Sequence, residues 1–226
     1  MAQLEDMAGY EAAIARKLAK LLQAQLIDVM AELGNPPDYA NIRPSVWERM
    51  EVEAGAVVLP EVEAVYLAAA EQTMNAQAIG VNWGLANEQA AAWADKHVGE
   101  LIKNISDTTR SAVQKKVAAY YRDPSTLGDL KKSLQSIYGP IRAEMIAITE
   151  ATRAAAEGQL EVVQQLRGQG VELEIIWQTA NDDLTCPICE PLNQTKQGEE
   201  WTDAPPAHPR CRCWINGRFP TTGGTF

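Results

Sequence analysis

Apolar residues recur every three or four positions through most of this chain, the spacing that lines one face of an α-helix. Leu4, Met7, Ile14, Leu18, Leu21, Leu22, Leu26, Val29 and Leu33 predict one long helix over 4–33, which Gly34-Asn35-Pro36-Pro37 ends. Pro44 is placed to open a second helix, through Trp47 and Met50 to about Leu59. Pro60 is placed to open a third, through Val62, Val65, Tyr66, Ala69 and Met74. Gly80 to Gly84 reads as a break. A long helical region follows from about Asn87 to Tyr121, with Ser106-Asp107 placed to restart it as a fresh N-cap. Asp123-Pro124-Ser125 predicts a turn and Leu127, Leu130 and Leu134 a short helix over 125–137. Gly139-Pro140 starts another helix over 141–167, stopped by Gly168-Gln169-Gly170.

At residue 171 the period changes. Val171-Glu172-Leu173-Glu174-Ile175-Ile176-Trp177 alternates and then turns wholly apolar, which predicts a strand. Cys213-Trp214-Ile215 predicts a second strand that returns to pair with it. Pro205, Pro206 and Pro209 stiffen the loop between, and 220–226 reads as a flexible tail. The expected fold is mainly α: an extended multi-helix body over 1–140 and a small C-terminal α+β domain over 141–219. Abundant alanine and an aromatic share of 6% point the same way, because sheets favour branched and aromatic residues.

Charge narrows the function classes. The formal net charge of -10 repels a polyanion, which argues against generic duplex-DNA binding by the whole chain. Eight basic residues between Lys96 and Lys132 are spread along helical sequence and read as a solvated face. The first thirty residues carry Glu5, Asp6, Glu11, Arg16, Lys17 and Lys20 and no apolar signal segment, so the chain is expected to be cytosolic in origin. In a reducing compartment, clustered cysteines bind metal more often than they pair as disulfides.

All four cysteines fall in one segment with one of the two histidines: Cys186-Pro187-Ile188-Cys189, eighteen residues, then His208-Pro209-Arg210-Cys211-Arg212-Cys213. Two closely spaced donor pairs joined by a short loop suit a tetrahedral zinc ion, since each tight turn supplies two corners. Cys186, Cys189, His208, Cys211 and Cys213 are five candidates for four places, and any two of the last three close the tetrahedron. More candidates than places favours a closed, structural zinc over a catalytic one that keeps a position for water. The terminal domain is thus expected to be stapled by zinc.

Two other classes stay in view. A zinc-dependent hydrolase or nuclease would draw on Asp182, Asp183, His208 or Glu150, yet no catalytic spacing is present. His97 in His-Val-Gly-Glu does not match the deaminase pattern. A nucleic-acid-binding zinc module would use Arg210, Arg212 and Arg218, but residues 171–226 hold eight acids against four bases. Asp182-Asp183 is expected to cap a turn, and Trp177, Trp201 and Trp214 to form the core of a small domain. Glu150 is either a buried polar anchor to that domain or a solvated helix residue.

The ordered series Thr149-Glu150, Trp177, Asp182-Asp183, Cys186-x2-Cys189 and Pro205-Pro206-Ala207-His208-Pro209-Arg210-Cys211-Arg212-Cys213 resembles the phage head-morphogenesis family, the minor head proteins of Mu-like and related tailed phages. The resemblance covers about residues 100–215. It implies a virion component, assembled in the host cytoplasm beside the portal protein and major capsid protein, with a weak contact to packaged DNA as a further expectation; the long alanine-rich helices separately make the body a candidate for self-association. The resemblance implies a metal role for the five donors named above, in a head-morphogenesis-type domain over 141–219; no catalytic residue is expected, because no recognised catalytic motif is present. Family members often carry a glycine after the Leu-Asp or Leu-Asn of the knuckle loop, where this chain has Gln194.

Overall fold

The computed structural model describes residues 3–77, 82–123, 125–183 and 185–220. It is mainly helical, with one small antiparallel sheet among the described residues. Helix α1 runs Met7–Leu33, α2 Pro44–Gln77, α3 Trp83–Arg122, α4 Leu127–Tyr138 and α5 Pro140–Gly168; the strands are β1 Glu174–Gln178 and β2 Trp214–Arg218. Gly34 ends α1 in the left-handed region (φ +75), and the Asp38 N–H then closes on the Leu33 carbonyl at 2.8 Å.

Two expectations fail in the helices. The second and third predicted helices are one, with Pro60 inside α2. Proline removes a helical hydrogen bond and crowds the carbonyl four residues back. Yet Ala54, Val58, Val62 and Val65 are all buried on either side of it, so a single apolar stripe outweighs the local break. Ser106 does not restart α3, which is continuous from Trp83. Its side chain is buried and gives its hydroxyl to Glu51 Oε1 at 2.5 Å instead of capping. The predicted break near Gly80 falls partly outside the described residues; on its described side, Asn82 Oδ1 accepts from the Leu85 N–H at 3.2 Å and α3 begins at once. Pro124 of the predicted turn and 221–226 of the predicted tail lie outside the described residues. Helix α4 opens on a capping box, Thr126 with Asp129.

The chain divides into two compact units that are not consecutive in sequence. One comprises Glu11–Glu61 and Asp95–Ala147. Within it, Glu51 accepts from Ser106 and from Arg110 (2.9 Å), and the Arg110 guanidinium lies 5.5 Å over the Trp47 ring. Arg142 is half-buried and donates to neutral oxygens: Thr109 Oγ1 at 2.9 Å, the Ile137 carbonyl at 3.0 Å and Thr108 Oγ1 at 3.1 Å. Most of the basic residues on this stretch of α3 and α4 are exposed, as expected of a solvated face.

The other unit comprises the described residues of Met1–Tyr10, Val62–Ala94 and Ile148–Phe226, and holds the sheet. Strand β1 pairs with β2 in antiparallel register, Trp177 opposite Ile215 and Ile175 opposite Gly217. The other edge of β1 is met by the segment 194–197: Trp177 N–H donates to the Thr195 carbonyl, Gln194 N–H to the Trp177 carbonyl, and Gln197 N–H to the Ile175 carbonyl. Strand β1 is therefore bonded on both edges, and Ile175, Ile176 and Trp177 along it are all buried. Val162, Val163 and Leu166 of α5 pack into the same core cluster.

Candidate metal centre

The five predicted donors come together in this second unit. Cys186 and Cys189 occupy a turn in which the N–H groups of Cys189 and Glu190 both donate to the Cys186 carbonyl, at 3.0 and 2.9 Å. His208 and Cys211 occupy a second turn, closed by the Cys211 N–H on the His208 carbonyl at 3.1 Å. Arg210 between them takes a left-handed backbone (φ +64). Cys213 stands directly ahead of β2, so strand pairing at Trp214 fixes its position.

His208 Nε2 lies 3.0 Å from the Cys186 sulfur and 3.2 Å from that of Cys189, and the Cys189 and Cys211 sulfurs are 3.7 Å apart. The donors form two sets, Cys186/Cys189/His208 and Cys189/Cys211/Cys213, each with its ligand atoms within 4.8 Å of one another. Either set could hold a metal ion. All four cysteines are free thiols.

The imidazole is oriented for this role. Its Nδ1 is 2.8 Å from the Pro209 carbonyl, which can only accept, so Nδ1 carries a proton. In the neutral ring Nε2 then has its lone pair directed at the sulfurs, the arrangement found in metal-ligating histidines.

The thiols cannot all ionise without a cation. A hydrogen bond from Cys213, with the N–H groups of Cys213 and Ala207, pulls Cys211 down to about 5 against the burial that opposes it. Burial first, and then the negative charge of Cys211, pushes Cys189 up to about 12. Cys213 is also pushed up, by the bond it gives Cys211, by burial and by that same charge. For Cys186, burial is outweighed by the N–H groups of Cys189 and Ile188, and the thiol ends lowered. For His208, burial is outweighed by the Pro209 carbonyl and the charges of Cys211 and Cys186, and the ring ends raised. A thiolate at Cys211 beside protonated thiols is a donor set that a divalent cation could complete by displacing the remaining protons.

Helix α5 braces the cluster from behind. Thr152 Oγ1 donates to the Cys211 carbonyl at 2.7 Å, the Arg210 N–H donates to Thr149 Oγ1 at 3.0 Å, and the Ile215 N–H donates to Gln159 Oε1 at 3.1 Å. The sequence reading missed Thr152 and Gln159 and gave Thr149 no role of its own. Their one local signal is polarity at positions that are buried or partly buried among alanines. Glu150 is buried and lies 3.6 Å from Arg153. Asp182 and Thr185 close a turn, the Thr185 N–H on the Asp182 carbonyl at 3.0 Å. Trp177 and Trp201 join the core as an edge-to-face pair at 5.3 Å, whereas Trp214 is only partly buried. Arg218 is held by Glu174 at 3.0 Å. His97 lies in the other unit and in neither donor set.

Gln194, where the resemblance leads one to expect a glycine, has a left-handed backbone, φ +67. Its side-chain amide donates to Gln178 Oε1 at 2.7 Å. The turn a glycine would make is therefore kept, with a residue for which that conformation costs more.

No described helix is long and apolar enough to cross a membrane. No curated protein and no solved structure matches the chain. A family model described as phage Mu protein F like protein matches residues 99–216, more than half of the chain and every one of the five donors. The chain belongs to the phage Mu protein F like family, a head-morphogenesis family.

Proposed function

We propose that this chain is a structural minor head protein of a tailed phage, associating with the portal or the major capsid protein during head assembly, with a structural zinc ion holding its Cys/His cluster together. The observation that carries the reading is the family match, whose span includes the whole cluster. Zinc is favoured by the soft donor set of thiolates and one imidazole. A tetrahedral ion with Zn–S near 2.3 Å has a sulfur–sulfur edge of about 3.8 Å, close to the 3.7 Å between Cys189 and Cys211. The 3.2 Å between the Cys189 sulfur and His208 Nε2 is shorter than a mixed sulfur–nitrogen edge, and an imidazole bound there would open it slightly.

The position of the cluster supports a structural role. Cys189, Cys211 and Cys213 belong to the same apolar core as Trp177, Trp201 and Ile215. An ion there links two turns and the sheet at once, replacing core that so small a region lacks.

The test is metal content on protein purified without added metal, with thiol reactivity read before and after chelation. About one zinc per chain, with thiols protected until chelation, is expected. Metal-free protein with a folded sheet would sink the zinc assignment. The head assignment is tested separately, by mass spectrometry of purified phage heads and by deletion of the gene. Absence from heads, together with normal DNA-filled heads after deletion, would refute it.

A further inference from the structure

We infer that the ion is gripped by three fixed thiolates, Cys189, Cys211 and Cys213, and that its fourth place is exchangeable between Cys186 and His208. This rests on the zinc reading above and concerns how that site is built.

The two donor sets differ in how firmly they are held. Cys189, Cys211 and Cys213 are all buried, whereas Cys186 and His208 are partly exposed. The inner set is also anchored through the backbone. Thr152 holds the Cys211 carbonyl, and Trp214, next to Cys213, is paired with Gln178 of β1. Three donors so placed leave one corner of a tetrahedron to fill.

Two donors compete for that corner. Cys186 Sγ and His208 Nε2 are 3.0 Å apart, and both lie within reach of Cys189, the one residue common to both sets. They are too close together to be independent ligands of different ions, and either is a short movement from the inner three. A cavity of about 200 Å³ beside the cluster, with Thr179, Asp182 and Thr185 in its wall, gives room for the exchange and an entry path for the ion. Whichever donor is displaced stays next to the ion as an outer partner: His208 on a bound Cys186 thiolate, or Cys186 beside a bound imidazole.

The experiment compares Cys186→Ser, His208→Ala, the double variant and Cys189→Ser, all in the full chain. Zinc affinity is read by competition with a chromophoric chelator, and ligand type by cobalt(II) substitution. Each single variant at the exchangeable corner is expected to retain one ion, weakened by about 10–100-fold, the loss typical of an outer partner. The cobalt–thiolate charge-transfer band should be stronger per ion in His208→Ala, with four sulfurs, than in Cys186→Ser, with three. The double variant should lose far more affinity than either. If Cys186→Ser or His208→Ala alone releases the ion as completely as Cys189→Ser, that residue is an obligate ligand and the exchange is overturned. Two ions per wild-type chain would also overturn it. A wild-type chain that binds no metal would instead fail the zinc reading itself.

Discussion

The hydroxyl of Thr152, on α5, donates to the carbonyl of Cys211, fifty-nine residues later in the chain, at 2.7 Å. Both groups are buried. The bond fixes the backbone of the His208–Cys211 turn against a helix, so the position of the Cys211 sulfur is set by the helix as well as by the turn. Thr152→Val keeps the shape and orphans the carbonyl, at a cost of about 1–3 kcal/mol. Urea unfolding should show that loss, and metal should leave the variant faster on chelation. Unchanged values for both would mean that the turn holds itself.

Gly158 marks where α5 and α2 meet backbone to backbone. A Cβ placed there would sit 2.1 Å from the Tyr66 carbonyl oxygen and 3.2 Å from the Ala70 nitrogen. In an open helix, glycine to alanine gains about 1 kcal/mol. Here the added methyl meets main chain that cannot rotate away, and overpacking of this kind costs about 1–3 kcal/mol or more. Gly158→Ala is expected to lower the melting temperature; a rise would show that the helices are not in such close contact.

Gln194 offers the opposite sign. Its left-handed backbone is costly for any residue with a Cβ, by about 1–2 kcal/mol, and glycine removes that cost. Gln194→Gly should stabilise the chain, less whatever the exposed bond to Gln178 contributes. Gln194→Val, which is stiffer at this backbone angle, should destabilise it. Thermal unfolding of the pair decides the matter, because only backbone strain moves them in opposite directions.

Glu174 makes stability depend on acid. Lys196 first, and Arg218 second, hold its carboxyl below the ordinary value of 4.5. A group depressed in the folded state stabilises fully above its unfolded value, and that contribution disappears as pH falls through the folded one. The stability gap between wild type and Glu174→Gln should therefore be level near neutrality and shrink below about pH 4.5. A gap of constant size across that range would mean that the ion pairs with Lys196 and Arg218 contribute nothing.

Spacing made the Cys/His cluster legible, because pairs of residues in tight turns are local in sequence. So were most helices and both strands, which depend on periodicity. Pro60 was misread because the local rule for proline is correct, but the buried stripe through Val58 and Val62 outweighs it. Ser106 was misread as a cap because its partner, Glu51, lies fifty-five residues away. Thr152 and Gln159 escaped notice for the same reason: a threonine or glutamine in a helix says nothing about which distant carbonyl or N–H it will meet. The grouping of five donors into two sets sharing Cys189 is likewise a product of folding and not of spacing.

The reach of Gln159 to the Ile215 N–H has a consequence for crowding. Ile215 faces Trp177 without bonding it, since both of Trp177's own backbone groups are engaged by 194–195. The Ile215 N–H therefore points to the outer edge of β2, where a strand from another molecule would otherwise dock. A side chain of the same protein fills that place. Another copy of the chain thus meets, at Ile215, a strand edge whose N–H is already taken, and strand-on-strand pairing at that position is blocked from within.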